Sequence, residues 1–125
     1  MIRLEIANES GVAVDEAAVA EVTRRVLEGE GVDDGDLGIA FEGAERMRKL
    51  KREHLGIDEA TDVLSFPIDG RDELPDGVPR QLGDVVLCPQ VVGEAWRGPL
   101  VHGLLHLLGY EHGTEMERRE RMHEE

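Results

Sequence analysis

Three of the chain's five histidines fall within eleven residues, in the run Val101-His102-Gly103-Leu104-Leu105-His106-Leu107-Leu108-Gly109-Tyr110-Glu111-His112. The residues between them are apolar and free of proline, which reads as a buried or half-buried helix. Residues four apart share a helical face, about 6 Å apart along the axis, so His102 and His106 can aim their imidazoles at one point. Gly109 suits the end of that helix, where a left-handed backbone costs glycine nothing, and a turn there brings His112 back towards the same point. Three neutral imidazoles with a fourth position open are the donor set of catalytic zinc, one ion per chain. The alternative is that each histidine bonds a backbone carbonyl and is structural; three at this spacing favour the metal. His54 and His123 lie outside the motif and are not expected to be ligands. Gly103 stands where the zinc-protease pattern H-E-x-x-H has its general base, so a peptidase of that kind is not expected. A glycine there also costs about 1 kcal/mol of helix propensity against alanine, which implies a close approach of backbone or substrate.

The elements that must hold these residues can be read in order. Ile2–Ile6 alternates as a half-buried strand. Asp15 is an N-cap for a helix whose stripe is Val19, Val22 and Val26, ending near Leu27. Residues 28–35, rich in glycine and acid, read as a loop with no packing signal. Leu37, Ile39 and Phe41 give a second strand, and Ala44–His54 a helix with Met47 and Leu50 inward. Thr61–Pro67 is a strand stopped by proline, Ile68–Arg80 an exposed connection, and Leu82–Cys88 a short apolar strand. Gln90–Arg97 has room for one or two helical turns before Gly98-Pro99 opens the histidine helix. Thr114 and Glu117 form a capping box for a last helix to about His123. The expected fold class is α+β, a single domain over residues 1–125 with about four strands and four or five helices.

Composition bounds the rest. A length of 125 residues allows one core. No run approaches the roughly 18–20 apolar residues needed to cross a bilayer, and the N-terminus lacks the regions of a signal peptide. The single cysteine, Cys88, fits a reducing cytoplasm and a role as a small buried hydrophobe. A net charge of −14 repels nucleic acid at long range, so a nucleic-acid enzyme needs a local basic patch or a partner. Basic residues cluster over 46–52 and again at Arg118, Arg119 and Arg121; each cluster alone also reads as the solvated face of a helix.

Three motifs together carry a resemblance. The histidine stretch fits H-G-x-L-H-L-x-G-Y-[DE]-H, Thr61–Pro67 matches T-D-V-L-S-F-P, and Gly83–Cys88 matches G-D-[IV]-[VI]-[IL]-[CS]. In that order they resemble the YbeY family of bacterial endoribonucleases, the ribosomal RNA maturation factors. The resemblance implies a mixed four-stranded sheet packed with helices, with zinc on His102, His106 and His112, which would therefore be the catalytic residues. It also implies cleavage of single-stranded ribosomal RNA, including the 3′ end of the small-subunit (16S) RNA, and ribosome quality control. The partners implied are the small ribosomal subunit or assembly factors, with no membrane and no DNA.

Two departures stand out. The family commonly carries L-N-x-x-[YF]-R before the second motif, with an arginine directed at RNA phosphate; here Lys51 replaces the asparagine and Leu55 the arginine, leaving Arg52 or His54 as nearby substitutes. The segment between Asp84 and His102 is also shorter than the family's. Arg52 is thus the candidate RNA contact and Ser65 a candidate for the cleft wall, while Asp62 suits a capping or hydrogen-bonding role. Glu111, beside a histidine, reads equally as a carboxylate supporting the ligands or as a surface charge. The nucleophile, metal-activated water or the ribose 2′-hydroxyl, is left open. The competing classes are a metal-binding ribosome assembly factor with little catalysis and a zinc hydrolase of another small substrate.

Overall fold

The computed structural model describes residues 1–56 and 62–124, without the Leu55 side chain. Thr61, at the start of one expected strand, lies outside the described residues. The elements are β1 (Ile2–Asn8), α1 (Glu16–Gly29), β2 (Gly35–Phe41), α2 (Ala44–Leu55), β3 (Val63–Pro67), β4 (Gln81–Leu87), α3 (Pro89–Val92), α4 (Arg97–Leu107) and α5 (Thr114–His123). The sheet runs β1-β2-β4-β3; the first three strands are parallel and β3 is antiparallel to β4. This is the mixed four-stranded α+β arrangement expected.

Strand alternation sends side chains to two different layers. On one face Leu37, Ile39, Phe41, Val85 and Leu87 pack with α1 and α4 in the main core. On the other, Met47 of α2 covers Leu64, Val86 and Cys88 in a smaller cluster. Asp15 caps α1, its Oδ1 accepting from the Ala18 N–H at 3.0 Å.

α4 is the central helix, packed on β3 and β4 and flanked by α1 and α5. Leu100, Val101, Gly103, Leu104, Leu105 and Leu107 are all buried. A helix this apolar all round belongs in a core. What stays accessible on its inner turns is one strip at helical spacing: Gly98, Pro99, His102 and His106.

Gly83 seats α4 on the sheet. A Cβ there would lie 2.4 Å from the Phe66 carbonyl oxygen and 2.9 Å from Leu107 Cδ2, and its φ of +135° excludes other residues on backbone grounds as well. It sits where β2–β4 pairing slips by one residue, between Asp36 and Leu37.

Four local expectations are corrected. α4 begins at Arg97, one residue before Gly98, while α3, a single turn of four residues, agrees with the one or two turns expected. The capping box is not made: Gly113 is the N-cap of α5 without a side-chain cap bond, and Thr114 is already helical. α1 continues to Gly29. Glu30 is not part of an unpacked loop, since its side chain is 1% exposed.

Candidate metal centre

The end of α4 is closed by two backbone bonds. Gly109 N–H donates to the His106 carbonyl at 3.1 Å and Tyr110 N–H to the Leu105 carbonyl at 3.1 Å, with Gly109 at φ +95°. This is the Schellman arrangement that glycine makes possible. It reverses the chain within two residues and returns His112 to the helix face that carries the other two histidines.

The three rings face one another. Nε2 of His102 and Nε2 of His106 are 3.1 Å apart. The His112 ring centroid lies 5.0 Å from that of His102 and 4.7 Å from that of His106. One ligand atom from each falls within 4.8 Å of the others. A tetrahedral zinc with nitrogens at 2.0–2.1 Å needs them roughly 3.3 Å apart, so the donor set fits such an ion with little adjustment. Among the described residues these are the histidine, cysteine and acidic side chains grouped closely enough to hold a metal.

A hydrogen bond behind one ring sets its tautomer. His106 Nδ1–H donates to the Tyr110 carbonyl at 2.9 Å, which leaves Nε2 as the free lone pair. Glu120 Oε1 lies 3.5 Å from His102 Nδ1, again on the side away from the shared point. Carboxylates and carbonyls in this position orient metal-binding histidines. Burial holds the His106 imidazolium pKa below its ordinary value, against the opposing pull of the Tyr110 carbonyl and with help from the neighbouring His102 and His112.

The histidines open into a cavity of about 950 Å³, walled by α4, the turn after it, β3 and residues 67–72. Ser65 is in that wall, and its hydroxyl donates to the Gly103 carbonyl at 2.9 Å. Position 103 faces the sheet: a Cβ there would lie 2.8 Å from Val85 Cγ1 and 3.0 Å from Val63 Cγ2. The protease glutamate is therefore absent for a steric reason.

Other sequence candidates are placed as follows. Arg52 is exposed on the last turn of α2 and is not among the described residues lining the cavity. Asp62 accepts from the Val63 N–H at 2.8 Å. Glu111 is exposed on the cavity rim, while the carboxylate beside a histidine ring is that of Glu120. His54 packs edge-on against Phe66, and His123 donates from Nε2 to Glu30 at 2.7 Å.

The sequence reading missed Glu30. Its carboxylate accepts from Tyr110 Oη at 2.8 Å and from His123, and pairs with Arg71 at 3.2 Å and Arg119 at 3.6 Å. Burial alone would raise the pKa of Glu30, but the bonds from His123 and Tyr110 and the Arg119 charge outweigh it and hold the carboxyl below the usual range. Glu30 thus ties α1 and α5 to Tyr110, the residue that orients His106.

Comparison with known proteins agrees with this geometry. The family model described as endoribonuclease YbeY matches residues 5–125. The endoribonuclease YbeY of Beutenbergia cavernae is 42% identical over 132 aligned positions, covering 93% of this chain and 87% of that protein. That of Salinispora tropica is 39% identical, covering 94% and 87%. The solution structure of TM1509 from Thermotoga maritima shares the fold, with a TM-score of 0.58 at 24% identity over 98% of this chain and 86% of that one. With its three histidines gathered at one point and a family match over almost its full length, the chain belongs to the YbeY endoribonuclease family.

Proposed function

We propose that the chain is a zinc-dependent endoribonuclease acting on single-stranded ribosomal RNA, in maturation of the 16S 3′ end and in ribosome quality control, with residues 1–125 working as one domain. The observation that carries this reading is the 3.1 Å approach of the two Nε2 atoms beside His112, at the floor of a cavity wide enough for a nucleotide.

Bound by His102, His106 and His112, zinc would supply Lewis acidity towards a phosphoryl oxygen. The chain's own groups do the rest. The Tyr110 carbonyl holds the His106 imidazole in the tautomer that presents Nε2, and the Glu120 carboxylate lies beside His102 Nδ1. Ser65 fixes the wall of the cleft to α4 through the Gly103 carbonyl. Arg52, exposed at the end of α2, meets RNA outside the cavity as part of the basic face over 46–52.

The test is to incubate metal-loaded protein with ribosomal RNA precursor, with and without small subunits, beside His102→Ala. Cleavage by the parent, lost in the variant and on chelation, is the expected outcome. A second reading, a metal-binding assembly factor with little catalysis, draws support from the net charge of −14 and the carboxylates around the cavity. A parent that cuts nothing even with subunits present would favour it.

A further inference from the structure

The histidine cavity is acidic: among its described lining residues, Asp62, Asp69, Asp72, Glu111 and Glu120 carry carboxylates. A metal on the histidines would offset part of this charge at one phosphoryl oxygen, and a fixed cation on the wall would hold the others. Among the same lining residues one lysine or arginine is present, Arg71.

Arg71 is held rather than loose. Its Nη2 donates to the Glu30 carbonyl at 2.8 Å and to Glu30 Oε1 at 3.2 Å. Its guanidinium carbon lies 5.6 Å from the centre of the Tyr110 ring, a cation–π distance. The loop beneath it is fixed by Arg80, which donates to the carbonyls of Gly70 at 2.6 Å and Asp72 at 2.7 Å. These contacts use one nitrogen of the guanidinium; Nε and Nη1 bond to none of the described residues, and the side chain is 42% exposed. With Nη2 anchored, Nε–H and Nη1–H point out from different edges of the guanidinium plane, and each can donate one bond to a phosphate oxygen.

We propose that Arg71 is the phosphate-binding arginine of this cavity, gripping non-bridging oxygens of RNA, with Glu30 as the residue that positions it. The inference rests on the endoribonuclease reading for its substrate. It assigns the specificity for a phosphodiester to the 67–72 loop and to a residue 41 positions from its anchor.

Binding and cleavage test it separately. In a His102→Ala background, which keeps RNA intact, anisotropy of a labelled single-stranded oligoribonucleotide is followed across a salt series. Arg71→Ala should lower the slope of log K on log salt by about 0.7, the value for one phosphate on a single strand. Arg24→Ala, on the outer face of α1, should leave it unchanged. In protein with all three histidines, Arg71→Ala should reduce kcat/KM by about 10²–10³, with Arg71→Lys recovering part of the loss. Should Arg71→Ala fail to fold, Arg71→Gln, which can still donate to Glu30, gives the same readouts. An unchanged salt slope and parental cleavage, with His102→Ala inactive, overturns the assignment and leaves the nuclease reading intact. A lowered melting temperature with an unchanged slope also overturns it, by making Arg71 only a strut. If the parent cleaves nothing but Arg71→Ala flattens the slope, the nuclease reading fails and the phosphate grip stands.

Discussion

Nδ1 of His106 donates to the carbonyl of Tyr110, four residues on and just past the end of the helix, at 2.9 Å. That bond joins the ring to the turn that returns His112, so one backbone reversal sets both rings. Metal analysis of purified protein should find about one divalent ion per chain, with nitrogen–metal distances of about 2.0–2.1 Å by X-ray absorption. His106→Ala should lose it, and His54→Ala, whose ring packs on Phe66, should keep it. Equal metal content in parent and His106→Ala would remove the site.

Glu30 gives a pH-dependent prediction. Its folded pKa is lowered, so its contribution to stability is complete above the unfolded value of about 4.5 and is lost as pH falls through the folded value. Glu30→Ala leaves Tyr110 and His123 without their acceptor and removes the carboxylate paired with Arg71, while Arg119 keeps Glu115. The expected cost at pH 7 is about 3 kcal/mol, near the low end for breaking a buried pair, because both arginines reach solvent. For a chain of this size that is a fall in Tm on the order of 10 °C. Melts from pH 7 to pH 3 should show the gap between parent and variant closing in acid. A gap that is constant across that range would assign the cost to packing.

The histidine site was legible because its information is local. An i, i+4 pair and a glycine-ended helix specify their own geometry, and His112 needs only the turn that Gly109 makes. Glu30 was not legible, because its partners Arg71, Tyr110 and His123 lie 41, 80 and 93 residues away, and an acidic, glycine-rich run looks like solvent-facing loop. Glu120 was missed for the same reason, being brought to His102 by the docking of α5. The strands and the apolar stripes came through since alternation and 3.6-residue spacing survive packing. The capping box did not, since Gly113 rather than Thr114 stands at the helix boundary.

Gly103→Ala sets helix propensity against packing. Alanine gains about 1 kcal/mol in a helix interior, but its Cβ would press on Val85, Val63 and, at 3.1 Å, on Ser65 Oγ. Overfilling a packed core costs about 1–3 kcal/mol; Val85 is fully buried on β4, while Val63 is half-buried on the edge strand β3. The variant should melt below the parent and bind metal more weakly, since an α4 that backs away from Val85 carries His102 away from its partners. A variant as stable as the parent with full metal content would show that the sheet yields instead.

Both basic clusters carry local ion pairs, on α2 between Lys49 and Glu53 at 4.0 Å, and they differ in where they sit on the fold. On α5, Arg118 pairs with Glu115, and Arg119 pairs with Glu115 at 3.2 Å and with Glu30. On α2, Arg46 and Arg52 are exposed on the helix that covers the smaller core cluster. Reversing Arg46 and Arg52 to glutamate, or Arg118 and Arg121, makes an already acidic chain more acidic by the same amount, so long-range repulsion changes equally and only placement differs. Contacts to phosphate act within a Debye length of about 8–10 Å. The α2 double variant should therefore weaken single-stranded RNA binding by at least about tenfold and lower the salt slope by about 1.4, the value for two phosphates. The α5 double variant should change affinity less than about threefold, in the range of surface charges already screened or paired. If the α5 pair matters more, or if affinity does not fall with salt, RNA does not run along α2.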